Sequence, residues 1–174
     1  MAVQLYDLSV GSYLQTLGGV AGFLQRGLDH FRDNGVDPNE IVQTRLCGDM
    51  LPFSFQVVSV AHHSLGAIEG IKKGEFGPPS QPLPTDYAEL QALVTRTTDG
   101  LKALTRDEVN ALEGRDVVFK LGDFKMPFTA EGFVMSFSLP NFYFHAATAY
   151  DILRHKGAPL GKRDFMGALR MKTA

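Results

Sequence analysis

Apolar residues recur every three or four positions along four stretches of the chain, the spacing that places them on one face of an amphipathic helix. The first predicted helix covers about residues 7–33 and ends at Asn34-Gly35, a typical helix C-terminus. The other three are predicted over about residues 49–73, 86–104 and 130–156. The third has Thr85 as its expected N-cap residue.

The connections between these helices differ in kind. Residues 74–84 contain four prolines and two glycines, so they can form neither a helix nor a central strand. This connection is long enough for the second and third helices to run parallel. Thr105 and Glu108 have the spacing of a capping box. Alternating apolar residues on both sides of Gly122-Asp123 predict a β-hairpin before the fourth helix.

Together these elements predict an all-α fold: an up-down-down-up four-helix bundle with a long crossover between helices 2 and 3 and a small β-hairpin before helix 4. The length fits one domain over residues 1–174, in which residues 158–174 form a partly ordered C-terminal tail. Gly11, Gly18 and Gly22 share one face of the first helix. They serve either close packing within the chain or a seam between two subunits.

Composition narrows the class of protein further. The 174 residues are 44% apolar and 21% charged, with a net charge of −2 and no block of like charge, which argues against binding to nucleic acid or to an anionic membrane. The uncharged residues 8–25 include nine Ser, Thr, Gln or Gly residues, so we expect a buried helix there and not a membrane span. Cys47 is the one cysteine, which excludes an intrachain disulfide and fits the cytoplasm.

Polar residues recur at helical spacing within the second and fourth predicted helices, where they indicate a polar pocket. Asp49, Gln56 and His63 are seven residues apart and therefore lie on one face. If the two helices are antiparallel, His63 faces Asn141 and His145, and Asp49 lies near the level of His155. Buried polar groups are costly unless they are paired or bind something. The candidate pocket residues are Asp49, Gln56, His63, Asn141, His145 and Thr148.

Residues 139–157, LPNFYFHAATAYDILRHKG, resemble the C-terminal signature of a bacterial family of unknown function in the DinB/YfiT-like superfamily. Residues 161–165, residues 45–52 and the opening 5–8 resemble the same family. The resemblance implies the DinB-like bundle, usually a homodimer. Many members of that superfamily hold a divalent metal through three histidines, one on the second helix and two on the fourth.

The sequence departs from that metal pattern, because Asn141 and Ala149 stand four residues before and after His145. His155 lies about 15 Å further along a helix and cannot share an ion with His145. No cofactor is therefore firmly implied.

Three interpretations stay open for the polar residues. They form a hydrogen-bond network that fixes helix register, or a pocket for a small polar ligand, or a degenerate metal site. In the last case His63, His145 and Asn141 would hold Zn, Ni or Fe in a thiol transferase or hydrolase. His62 could replace His63 if the helix is rotated. The missing histidine favours a DinB-like protein without established catalysis.

Overall fold

The computed structural model describes residues 3–172 and shows a mostly helical protein with a small three-stranded sheet. Two of the helices contain a π-helical turn, which interrupts the regular hydrogen-bond ladder without ending the helix. We call His62–Gly66 the first π segment and Val134–Ser138 the second π segment. The elements are α1 Leu5–Leu8, α2 Val10–Asp33, α3 Asn39–Val42, α4 Phe53–Ala61, α5 Ala67–Lys73, β1 Glu75–Phe76, α6 Tyr87–Lys102, α7 Arg106–Asn110, β2 Asp116–Leu121, β3 Phe124–Thr129, α8 Ala130–Phe133, α9 Leu139–His155 and α10 Lys162–Met166.

The four predicted helices are present, with differences at their ends. The first is broken at Ser9, which separates α1 from α2, and α2 ends before Asn34 with Gly35 at a φ of +69°. The predicted N-cap of α6 is wrong by one residue, because the carboxylate of Asp86 accepts hydrogen bonds from the backbone of Ala88 and Glu89. The predicted capping box of Thr105 and Glu108 is present at the start of α7.

The second helix begins at Phe53, four residues later than predicted. Pro52 is its N-cap residue, with an extended backbone at a ψ of 170°. A residue that precedes proline is disfavoured in the helical region, so the chain before Pro52 does not join the helix. Asp49 therefore lies in an exposed turn outside α4, and its predicted place on the inner face is wrong.

Contacts between particular residues show how the long helices run relative to one another. His145 bonds Gln56 and Ser138 bonds the carbonyl of His63, so α9 runs antiparallel to α4. The ring of Phe53 stacks on Tyr87 at the beginning of α6, and Leu65 meets Gly100 near its end. The helix formed by α4, the first π segment and α5 therefore runs parallel to α6, as the long crossover allows.

The helix α2 runs parallel to α9. Tyr13 packs edge-on against Phe142 with ring centroids 5.1 Å apart, and two to three turns later Phe23 packs on Tyr150 at 5.9 Å. The hydroxyl of the buried Tyr87 donates to the carbonyl of Leu24 and ties α6 to α2. These contacts surround one cluster of buried apolar side chains to which all four long helices contribute.

The sheet has the order β1-β2-β3. Its antiparallel pair, β2 and β3, is joined across Gly122-Asp123 and pairs Asp116 with Thr129 and Leu121 with Phe124. The edge strand β1 pairs in parallel with β2 and was missed by the sequence analysis, since its two residues are too short for a pattern. Through β1, the proline-rich crossover is attached to the hairpin.

The C-terminal segment, expected as a partly ordered tail, contains α10 packed on α2. A Cβ atom at Gly19 would lie 2.3 Å from the carbonyl oxygen of Phe165, so only glycine allows this approach. Gly18, the neighbouring residue, has no other atom of the described residues within 4 Å of such a Cβ. Within residues 3–172, no helix combines the length and the hydropathy that crossing a bilayer requires.

We expect Gly19→Ala to displace α10 and lower the free energy of unfolding, because its methyl group would overlap the backbone of Phe165. Gly18→Ala is the matched control and should raise that free energy by up to about 1 kcal/mol through helix propensity. Urea denaturation measures both, and trypsin cleavage at Lys162 and Arg163 reports release of α10. Equal changes in the free energy of unfolding of the two variants would contradict the close packing of α10 on α2.

Candidate functional site

A cavity of about 220 Å³ lies between α4 and α9, beneath the start of the crossover. One part of its wall is aromatic, and the other carries three histidines, an asparagine and a serine. Within residues 3–172, no charged side chain lines it. The lining residues are Phe55, Ser59, His62, His63, Phe76, Gly77, Pro78, Pro79, Phe119, Phe137, Asn141 and His145.

His63 is the most deeply buried of the three histidines in this wall, with 8% of its surface exposed. Its Nδ1 atom is buried and makes no hydrogen bond with any described residue. The ring lies 5.8 Å from that of His145 and 5.5 Å from that of Phe76, measured between centroids. Burial, reinforced by the neighbouring imidazoles of His62 and His145, lowers the pKa of His63 to about 3, so the ring is neutral at pH 7.

His145 is oriented by a chain of two hydrogen bonds. The Nε2 group of Gln56 donates to the carbonyl of Leu51 over 2.8 Å, which turns the amide oxygen Oε1 towards His145. The Nδ1 atom of His145 lies 2.8 Å from that oxygen and must carry the proton, because an amide oxygen only accepts. Burial lowers the pKa of His145 to about 4. The ring is therefore neutral, with its proton on Nδ1.

His62 faces the same cavity from its edge. Its Nε2 donates to the carbonyl of Gly77 over 2.6 Å, and its ring stacks on Phe76 with centroids 4.4 Å apart. Burial lowers its pKa as well. Of the two adjacent histidines, His63 is the one that stacks against His145, and His62 holds the beginning of the crossover against the first π segment.

Two of the remaining predicted pocket residues are near the cavity, but Thr148 is not part of its wall. Asn141 lines the cavity and donates from Nδ2 to the carbonyl of Phe137 in the preceding turn, while Gln56 acts through His145. Thr148 is buried and bonds the carbonyl of Phe144, so its hydroxyl is satisfied within its own helix. His155 is exposed and Asp49 lies outside the helix, so the predicted pairing of their levels does not occur.

A buried hydrogen-bond chain that the sequence analysis missed connects α2, α9 and the first π segment. The hydroxyl of Ser138 donates to the carbonyl of His63, and its oxygen therefore accepts from the hydroxyl of Tyr13, with both distances 2.6 Å. Both π segments meet at this chain, and π turns are frequent at functional sites. Pro140, inside the predicted fourth helix, is a sequence signal for the second π segment, because proline disrupts the regular ladder.

A second and larger cavity of about 790 Å³ lies on the other side of His62, between the helix of the first π segment, α6 and the crossover. It shares His62, Pro78 and Pro79 with the smaller cavity. Its wall includes Leu65, Leu93 and the prolines of the crossover. The sequence analysis could not predict it, because it depends on how the crossover folds back over the helices.

The residues present do not fit the metal centre that the superfamily resemblance implies. Among residues 3–172, no three His, Cys, Asp or Glu side chains are grouped so as to hold a metal ion. The rings of His63 and His145 have their centroids 5.8 Å apart, and Nδ1 of His145 is already bonded to Gln56, so that ring offers one lone pair, on Nε2. Neutral imidazoles and one amide, without a carboxylate or thiolate, also form a weak donor set.

Comparison with solved structures defines the class of protein. The chain is similar to a DinB family member protein from Shewanella denitrificans over 98% of this chain and 96% of that chain, with a TM-score of 0.83 and 23% identity. This similarity shows a shared DinB-like fold. The sequence matches the family described as domain of unknown function (DUF1993) over residues 5–166, and the chain belongs to that family. A comparison with curated protein sequences finds no match.

We expect the free energy of unfolding to fall as the pH drops from 7.5 to 5.0. The unfolded chain protonates its histidines near pH 6.5, whereas folded His63 and His145 stay neutral to about pH 3 and 4. Below pH 6.5 the unfolded state binds more protons, so stability is lost as pH falls. His63 contributes up to about 2 kcal/mol over this range, and His145, nearer solvent, contributes less.

Urea denaturation at the two pH values measures this loss. His63→Gln should reduce the difference, whereas His155→Gln, at an exposed position of α9, should preserve it. A free energy of unfolding that is the same at pH 7.5 and 5.0 would contradict the burial of neutral imidazoles.

Ser138→Ala should lower the free energy of unfolding by about 1–3 kcal/mol, because it leaves the buried hydroxyl of Tyr13 without its acceptor and the carbonyl of His63 without this donor. Ser136→Ala, two residues earlier and exposed, is the matched control and should change it by less than about 0.5 kcal/mol. Thermal or urea denaturation compares the two, and similar effects would argue against the Tyr13–Ser138–His63 chain.

Proposed function

We propose that this protein binds a small polar ligand in the cavity between α4 and α9 and that it does so without catalysis. The observation that carries the proposal is the imidazole of His63, which is 8% exposed and has a buried Nδ1 atom without a hydrogen-bond partner. Buried polar atoms are almost always paired in folded proteins. His63 lines the cavity and no described residue bonds its imidazole, so this ring is the polar group that a ligand there would meet.

A purely structural network explains the surroundings of His63 less well. Such a network is expected to satisfy each buried polar atom, as Ser138 does for the carbonyl of His63 and for the hydroxyl of Tyr13. The imidazole itself is left out of that chain. A volume of about 220 Å³ corresponds to roughly seven water molecules at about 30 Å³ each, enough for a small organic molecule.

The alternative is a divalent-metal-dependent enzyme of the thiol transferase or hydrolase type, with His63, His145 and Asn141 as metal ligands. The proximity of the two imidazoles, 5.8 Å between centroids, is the observation in its favour. The uncharged donor set, without a carboxylate or a thiolate, argues for the ligand pocket instead.

The proposal also covers the oligomeric state of the protein and its cellular compartment. We propose a cytoplasmic homodimer built on an up-down-down-up DinB-like bundle. Tyr143 and Phe144 on α9 are 40% and 57% exposed, and Phe142 between α2 and α9 is fully buried. Two neighbouring exposed aromatic rings favour a surface that another subunit covers. Sedimentation of the native protein tests this, and a monomer at tens of micromolar would contradict it.

The ligand proposal is tested by NMR of the histidine imidazole groups during titration with benzyl alcohol, a probe with an aromatic ring and one polar group. We expect saturable shifts at His63 and His145 and none at the exposed His155. Asn141→Leu should weaken the affinity for benzyl alcohol at least fivefold, since it alters the cavity wall. Asp151→Leu, on the exposed face of α9, should leave that affinity unchanged.

Absence of any saturable shift at His63 and His145 would contradict the pocket. Metal analysis of protein purified without a histidine tag tests the alternative. One ion per chain, lost in His145→Ala, would replace the ligand proposal with the metal-dependent enzyme.

A further inference from the structure

We propose that the cavity between α4 and α9 is specific for a primary ammonium group, so that its ligand is a small organic amine. This inference rests on the proposed ligand-binding function and adds the chemical class of the ligand. It follows from which polar atoms around the cavity still have lone pairs once the protein's own hydrogen bonds are assigned.

The first acceptor is Nε2 of His145. The carbonyl of Leu51 can only accept, so it fixes the amide of Gln56 with Oε1 towards His145. That oxygen in turn requires the proton on Nδ1 of His145. A neutral imidazole with its proton on Nδ1 has a lone pair on Nε2, and no described residue donates to that atom. The protein's own contacts thus prepare His145 as a hydrogen-bond acceptor.

Asn141 supplies a second acceptor by the same argument. It lines the cavity and uses Nδ2 to donate to the carbonyl of Phe137, which leaves its amide oxygen Oδ1 as the group for a ligand. His62 donates from Nε2 to the carbonyl of Gly77, and its Nδ1 lies beside Gly66, a residue of the larger cavity, so His62 is not counted as an acceptor here. His63 and the hydroxyl of Ser59 can either donate or accept.

The hydrogen-bonding capacity of an ammonium group matches this set. An ammonium group has three donors and no acceptor, like the lysine side chain, so acceptors at His145, Asn141 and His63 match its three N–H groups. A carboxylate would meet mainly lone pairs and be repelled. A hydroxyl would satisfy only one of the acceptors and would itself need a donor.

The aromatic rings of the wall provide a second kind of contact for an ammonium group. Phe55, Phe76, Phe119 and Phe137 line the cavity, and aromatic faces attract ammonium groups through their quadrupole. The imidazoles of His63 and His145 are held neutral by burial, which lowers the pKa of both well below 7. They can therefore accept hydrogen bonds at physiological pH without repelling a positive charge.

The test compares three probes of similar size, n-butylamine, 1-butanol and butyrate, at pH 7.5. Their affinities are measured from the NMR shifts of the His63 and His145 imidazole groups in the full-length protein. We expect n-butylamine to bind at least tenfold more tightly than either of the others. His145→Phe should remove this preference, because it keeps a ring of similar shape but has no lone pair, and Asn141→Leu should reduce it severalfold.

The matched control is His155→Phe on the exposed end of α9, which should leave the preference unchanged. Circular dichroism and urea denaturation establish that each variant is folded. Equal affinity for the three probes, or tighter binding of 1-butanol or butyrate, would overturn the ammonium inference while leaving the pocket in place. Absence of saturable shifts with every probe, benzyl alcohol included, would overturn both.

Discussion

The antiparallel packing of α4 on α9 is the contact on which the rest of the structure depends. Two hydrogen bonds connect the helices at different levels. One joins Gln56 and His145, and the other runs from the hydroxyl of Ser138 to the carbonyl of His63. Tyr13 extends the second contact to α2. Because these groups are buried, each bond lost would leave a polar atom unsatisfied, so the relative position of the two helices is closely specified.

That packing also creates the electrostatic character of the site. Three imidazoles lie close together among phenylalanine rings, and burial disfavours their charged forms. In water the same residues would titrate near neutral pH, but here they act as neutral hydrogen-bonding groups. Gln56 and Gly77 then determine which nitrogen of His145 and His62 carries the proton. The protonation pattern of the site is therefore set by Gln56, behind the cavity wall, and by the backbone of Gly77 within it.

Helical periodicity predicted the four long helices because their apolar faces are continuous and buried. It also placed Gln56 and His63 on one face and Asn141 and His145 on the facing helix, where the structure brings the two histidines together. It failed for Asp49, since the restriction that Pro52 imposes on the preceding backbone outweighs the heptad spacing. Thr148 lies on the predicted helix, but its hydroxyl donates to the carbonyl of Phe144 in that helix, and the residue is not part of the cavity wall.

Other features depend on contacts between distant parts of the chain and have no local signal. The strand β1 is two residues long and exists because β2 is beside it. The bond between Ser138 and His63 joins residues 75 positions apart. The participation of His62 in the site follows from the crossover folding back so that Gly77 reaches its ring. Pattern analysis of single segments cannot predict such pairings, although Pro140 does mark the irregular helix that makes one of them.

Few described hydrogen bonds hold the crossover in place, chiefly the short parallel pairing of β1 with β2 and the bond from the imidazole of His62 to the carbonyl of Gly77. Pro78 and Pro79 form a shared wall of the two cavities, so lifting this strip would expose both at once. Segments held by so few contacts open far more often than the whole protein unfolds. Any displacement of this strip would therefore change the walls of both cavities together, which couples the occupancy of one to the shape of the other.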